Sequence, residues 1–120
     1  MIKVRFRTHD ATRYLRLTVE GHAGAGDKGK DLVCASASIL AYTAARCVRE
    51  MKERGVLRGS ARIELHEGDA SIVFRCKDDD AYAEARHLFL VVKTGYELLK
   101  FNYPQCVDIK SFGQAQRALI

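Results

Sequence analysis

Two side chains stand out as a pair able to do chemistry, Cys34 and His22, with eleven residues between them. A thiol becomes a strong nucleophile as its thiolate, and an imidazole within reach takes the thiol proton and later returns it to a leaving amine. The residues around Cys34 suit that role. Asp31 is a favoured helix N-cap, which puts Leu32, Val33 and Cys34 in the first turn of a helix. First-turn N–H groups have no intrahelical partner, and the dipole makes that end positive. Both effects favour a thiolate, and free N–H groups nearby suit the oxyanion of a tetrahedral intermediate. Asp31 has a second reading, as a third triad member that orients His22. Ser38 sits four residues after Cys34 on the same helix face. It either lines the pocket or bonds back to the Cys34 carbonyl.

The other titratable side chains read differently. Cys47 falls on the apolar stripe of the same helix and Cys76 at the end of an inward strand face, so both are expected in the core. His9, His66 and His87 fall in a turn, at a strand end and on a helix, and are expected to face solvent. The segment Gly24-Ala25-Gly26-Asp27-Lys28-Gly29 fits G-x-G-x-x-G, and Gly24 to Lys30 fits the first seven positions of a P-loop. The eighth position, however, is Asp31, where Ser or Thr would hold Mg²⁺, and a carboxylate there repels phosphate.

The elements that must position this pair follow from periodicity. Ile2, Val4 and Phe6 alternate with Lys3, Arg5 and Arg7, and Leu15, Leu17 and Val19 alternate with Arg16, Thr18 and Glu20. Both stretches read as half-buried strands, joined by a polar turn over 9–13. The glycine-rich stretch 21–30 reads as a loop. A helix is expected from Asp31 to about Arg54, with Gly55 as its stop. A second hairpin covers 61–66 and 70–76, and a second helix follows Asp78-Asp79-Asp80 and ends before Pro104. Cys106, Val107 and Ile109 suit a short edge strand. The order ββαββα predicts an α+β domain, an antiparallel sheet of about four strands with two helices on one face. The domain is expected over 1–110, with 111–120 an unplaced tail.

Composition narrows the class. The chain has 120 residues, 48% hydrophobic and 29% charged, as suits one soluble domain. No apolar run approaches the roughly 20 residues of a membrane helix. The start Met1-Ile2-Lys3-Val4-Arg5-Phe6-Arg7 lacks the unbroken apolar stretch of a signal peptide. A cytoplasmic location with no membrane partner is expected. The four cysteines have neither metal-ligand nor disulfide-framework spacing, so free thiols and no metal or other cofactor are expected. A net charge of +5 favours anionic partners such as a ribosomal surface or RNA. Yet the basic residues are scattered along the sequence with no aromatic interleaved as a base-stacking platform needs, so solubility explains the charge equally well.

The stretch Gly21-His22-Ala23, then Gly29, then Asp31-Leu32-Val33-Cys34-Ala35, then Ser38 resembles the signature of the ribosomal-processing cysteine protease family Prp. The order of strands and helices matches as well, over roughly 1–110. The resemblance implies a homodimeric α+β protease with Cys34 as nucleophile and His22 as general base. It implies a substrate too: the N-terminal extension of a large-subunit ribosomal protein precursor, cut after a pair of aromatic residues. Residues 23–30, with Gly24, Gly26 and Gly29, would be the flap over the bound peptide, and ribosome association would follow from the substrate. The competing readings are a non-catalytic ribosome- or RNA-binding module and a nucleotide-binding loop.

Overall fold

The alternation that marks the first two strands also decides which way they face. Ile2, Val4 and Phe6 of β1 (Ile2–His9) and Leu15, Leu17 and Val19 of β2 (Tyr14–Glu20) are all buried, and the residues between them point the other way. The strands pair antiparallel from Lys3↔Glu20 to His9↔Tyr14. The computed structural model describes residues 1–23 and 28–114. After β2 comes α1 (Lys28–Glu53), then the hairpin of β3 (Arg62–His66) and β4 (Asp69–Arg75). The β4 strand pairs antiparallel with β2, from Glu20↔Asp69 to Tyr14↔Arg75. Next come α2 (Asp79–Asn102) and β5 (Val107–Gln114).

The expected antiparallel sheet of about four strands is corrected here. The sheet has five strands in the order β3-β4-β2-β1-β5, and β5 lies parallel to β1, from Ile2↔Val107 to His9↔Gln114. The reason is geometric: β4 runs in the same sense as β1, so a helical crossover after β4 delivers the next strand parallel to it. The short edge strand expected at 106–109 therefore runs through residues read as tail, up to Gln114. Residues 115–120 lie outside the described residues.

Both helices cover the apolar side of the sheet. Val33, Ala37, Ala41, Ala44, Val48 and Met51 of α1 are buried, as are Ala85, Phe89, Val92 and Tyr96 of α2. Phe89 stands edge-on to Phe6 at 5.4 Å and to Phe74 at 6.0 Å between ring centres, which locks α2 onto β1 and β4. Tyr96 donates from its hydroxyl to the Ala37 carbonyl at 2.9 Å, tying α2 to the part of α1 that follows Cys34. Close approach of the helices needs Gly95, where a Cβ would stand 2.6 Å from Leu40 Cδ2. The first turn of α2 is capped by Asp78, whose carboxylate accepts from Ala81 N–H at 2.9 Å. The window Leu32–Glu53 is, against the expectation from sequence, long and apolar enough to cross a bilayer. Its buried stripe belongs to the shared core, and Arg46, Arg49 and Lys52 lie on its exposed side.

Candidate active site

Three backbone features fix the segment that carries His22. Gly21, directly after β2, has φ +102°, and a Cβ there would run into the Met1 carbonyl oxygen. Only glycine fits that turn. Its N–H donates to the Gly68 carbonyl at 2.9 Å, which fastens the exit of β2 to the β3–β4 turn. Gly68 itself has φ +75°, and a Cβ on it would stand 2.6 Å from both Cε1 and Nε2 of His22. The bare α-carbon of that turn is thus the seat of the exposed imidazole. The next residue, Ala23, is buried, and its N–H points at Cys34 Sγ, 3.5 Å away.

Cys34 is half-buried on α1. His22, Cys34 and Ser38 line one cavity of about 260 Å³. Its floor is apolar, with Val19, Ala37 and Ala41 among the contributors, and the β3–β4 turn closes one side with His66, Glu67 and Asp69. In this structure the imidazole and the thiol are not hydrogen-bonded to each other; the ring rests on Gly68. Ser38 is exposed on the cavity wall, whereas Ser36 bonds back to the Leu32 carbonyl at 2.8 Å. The cavity is therefore made by three elements: the exit of β2, the front of α1 and the β3–β4 turn.

The helix-start account of Cys34 is corrected. Because α1 begins at Lys28, Asp31 is its fourth residue rather than its N-cap, and Cys34 is its seventh. The Cys34 N–H then belongs to the helical ladder, and the dipole's influence fades beyond the first turn. The group facing the sulfur is the loop N–H of Ala23. Of the flap glycines, Gly24 and Gly26 lie outside the described residues, and Gly29 falls within the first turn of α1. The side chain of Asp31 also lies outside the described residues.

Cys76 and Cys106 are buried, unlike Cys34, whereas Cys47, expected in the core, is half-buried mid-helix as Cys34 is. Burial pushes the Cys76 thiol up to about 11, with the negative charges of Asp78 and Glu84 adding to the effect. Sequence reasoning missed the contribution of the second hairpin. His66 is exposed as expected, but at the rim of the cavity, with Glu67, Gly68 and Asp69 beside it. The signal lay in pairing: Glu20↔Asp69 puts the β3–β4 turn beside the end of β2 that carries Gly21 and His22. Among the described residues no group of three or more His, Cys, Asp or Glu is placed to hold a metal ion.

Several solved structures are similar. SMU.848 from Streptococcus mutans aligns with a TM-score of 0.64 at 24% identity, over 95% of this chain and 96% of that one. The ribosomal processing protease Prp from S. aureus, solved with a substrate peptide, aligns with a TM-score of 0.66 at 21% identity, over 92% and 99%. The same protease solved with a covalently linked product peptide aligns equally well. At these identities the likeness concerns the fold. No curated protein matches the chain. The sequence itself matches the family described as cysteine protease Prp over residues 1–108, which includes every residue of the cavity. The chain belongs to the cysteine protease Prp family.

Proposed function

We propose that the protein is a cysteine endopeptidase that removes the N-terminal extension of a large-subunit ribosomal protein, cutting after an aromatic pair, as part of ribosome maturation in the cytoplasm. The observation that carries the reading is the cavity shared by His22 and Cys34, with the Ala23 N–H directed at the sulfur. The exposed ring of His22 swings from Gly68 toward Cys34 and takes the thiol proton. The thiolate attacks the scissile carbonyl carbon, and the carbonyl π electrons move onto oxygen. Collapse of that tetrahedral species breaks the C–N bond as imidazolium returns its proton to the leaving amine. Water, deprotonated by His22, then cleaves the thioester and frees the new C-terminus and the thiol. The imidazole acts once as base and once as acid in each half, so no proton is left over.

Ser38 lines the substrate side of the cavity one helical turn after Cys34. Asp31, one turn before Cys34 on α1, is read as an orienting residue, and Gly24, Gly26 and Gly29 as the flap. The S. aureus protease, solved with a substrate peptide and with a covalently linked product peptide, supports a peptide substrate for this fold and a covalent step. We read the active form as a homodimer. The outer faces of the helices expose Ile39 on α1 and Leu98 and Phe101 on α2, and Phe101 is 84% exposed. Association with the ribosome follows from the substrate.

The test is cleavage of a peptide carrying an aromatic pair, followed by mass spectrometry, alongside timed iodoacetamide labelling. Cys34 is expected to label before Cys47, Cys76 and Cys106, and Cys34→Ala is expected to lower cleavage about 10⁴-fold or more. Unchanged cleavage by Cys34→Ala would end the reading. Sedimentation of Phe101→Glu, expected to shift the protein toward monomer, checks the dimer.

A further inference from the structure

The open face of the sheet is sorted by charge, and strand register does the sorting. Side chains on that face line up across the strands in rows. One row runs Arg62, Val73, Arg16, Arg7 and Phe112 through β3, β4, β2, β1 and β5. The next row toward the β1–β2 turn holds Arg75, Tyr14 and His9. No carboxylate stands in either row. Arg7, Arg16, Arg62 and Arg75 are exposed, and among the described residues none of them makes an ion pair. Other arginines on or near this face are neutralised: Arg5 by Asp108 at 2.7 Å and Arg13 by Asp79 at 2.8 Å.

Folding does not account for this arrangement. Arg7 and Arg16 are direct cross-strand partners, and like charges directly opposite each other are destabilising. Nor is the cluster purely electrostatic. Phe112 is 41% exposed, and the Arg7 guanidinium lies 4.7 Å over its ring centre. A broad depression of about 680 Å³ lies between Phe112 and Tyr14, lined also by Arg7, His9 and Thr12. Unpaired guanidinium groups beside an exposed ring, Phe112, and a half-buried one, Tyr14, on a sheet are the chemistry that takes phosphates on the charges and unstacked bases on the rings.

We propose that this end of the open sheet face binds single-stranded RNA, phosphates to Arg7, Arg16, Arg62 and Arg75 and bases on Phe112 and Tyr14. The face lies on the side of the sheet away from the helices, so RNA there leaves the Cys34 cavity free. The choice of RNA over DNA rests on the ribosomal reading above; the arginine and aromatic face itself does not.

The experiment is fluorescence anisotropy of the full chain with a short labelled oligouridine, across salt from about 50 to 200 mM. Four phosphate contacts give a log–log salt slope of about −3. The double variant Arg7→Ala/Arg16→Ala is expected to make that slope shallower by about 1.4. Phe112→Ala is expected to weaken binding roughly tenfold with the slope unchanged. Both variants should cleave the aromatic-pair peptide as the parent does, and Cys34→Ala should bind RNA as the parent does. Absence of binding at the lowest salt, or equal affinity and slope in the double variant, overturns the proposal. Duplex RNA bound as tightly as the single strand overturns the stacking role, and oligothymidine bound as tightly overturns the choice of RNA. RNA binding with no cleavage of any precursor would instead overturn the protease reading and leave this face standing.

Discussion

The two ends of the same open sheet face carry opposite chemistry. Near the Cys34 cavity, one cross-strand row reads His66, Asp69, Glu20, Lys3 and Asp108, with Glu67 on the adjoining turn. Two rows along, the face is Arg62, Val73, Arg16, Arg7 and Phe112. The strands that supply both rows are the same five. Their inward residues are mostly apolar because one core must be filled, with Thr8 and Ser111 as exceptions near the sheet's end, whereas outward residues are free to differ along a strand. The difference teaches that charge on a sheet is organised by pairing rather than by nearness in sequence: Arg16 and Arg7 are nine positions apart in the chain and direct neighbours in space. It also separates the two proposed activities, with the Cys34 cavity beside one end, on the helix side of the sheet, and contact with a polyanion at the other end of the open face.

Variants at the two ends should therefore affect different measurements. The largest effect belongs to the cavity: His22→Ala is expected to lower kcat/KM for the peptide by about 10²–10⁴-fold while RNA affinity stays unchanged, and parallel loss of both would erase the division. Next is Gly68→Ala. Its Cβ would stand 2.6 Å from the His22 ring and its φ is +75°, so the ring must move by about 1 Å. Cleavage should fall roughly 10–100-fold, and denaturant unfolding should show a loss of about 1 kcal/mol from the strained backbone. Cleavage equal to the parent would mean the seat is irrelevant to catalysis.

A subtler effect concerns pH. The hydrogen bond from Arg5 holds the Asp108 carboxyl below its ordinary value of 3.8. A depressed carboxylate stabilises the folded state above the unfolded value, and that contribution is lost as pH falls through the folded value. Asp108→Asn should thus lower stability slightly near neutrality and flatten the acid limb of a thermal-stability profile below about pH 4, where the parent has lost the same contribution. Smallest is Arg16→Ala, which removes one member of the like-charged pair and should raise stability by a few tenths of a kcal/mol while weakening RNA binding. A stability loss instead would show that the pair serves folding, not binding.

Much of the site was legible in the chain. The two-residue period of β1 and β2 showed their buried sides, and the 3.6-residue stripes showed those of α1 and α2, because burial of an apolar face is a local pattern. Cys34 and His22 were legible as a pair of reactive types flanking a loop. The start of α1 was not, because Asp31 makes as good a cap on paper as Lys28 makes a first helical residue, and only the folded chain chooses between them. The ends of β5 were missed because an edge strand beside β1 is defined by its partner: nothing in Ser111-Phe112-Gly113 by itself demands pairing with Phe6-Arg7-Thr8.

The sequence alone was enough for most of the elements and for proposing Cys34 and His22 as nucleophile and base, since each rests on residue type and short-range spacing. Tertiary structure decided the rest. It brought the β3–β4 turn under the His22 ring, aimed the Ala23 N–H at the sulfur, and gathered scattered arginines and two aromatic rings into one surface. The physical reason is the same each time. Strand register and helix crossovers join residues far apart in the chain, and a shift of one residue in any of those pairings would turn the same side chains to the opposite face.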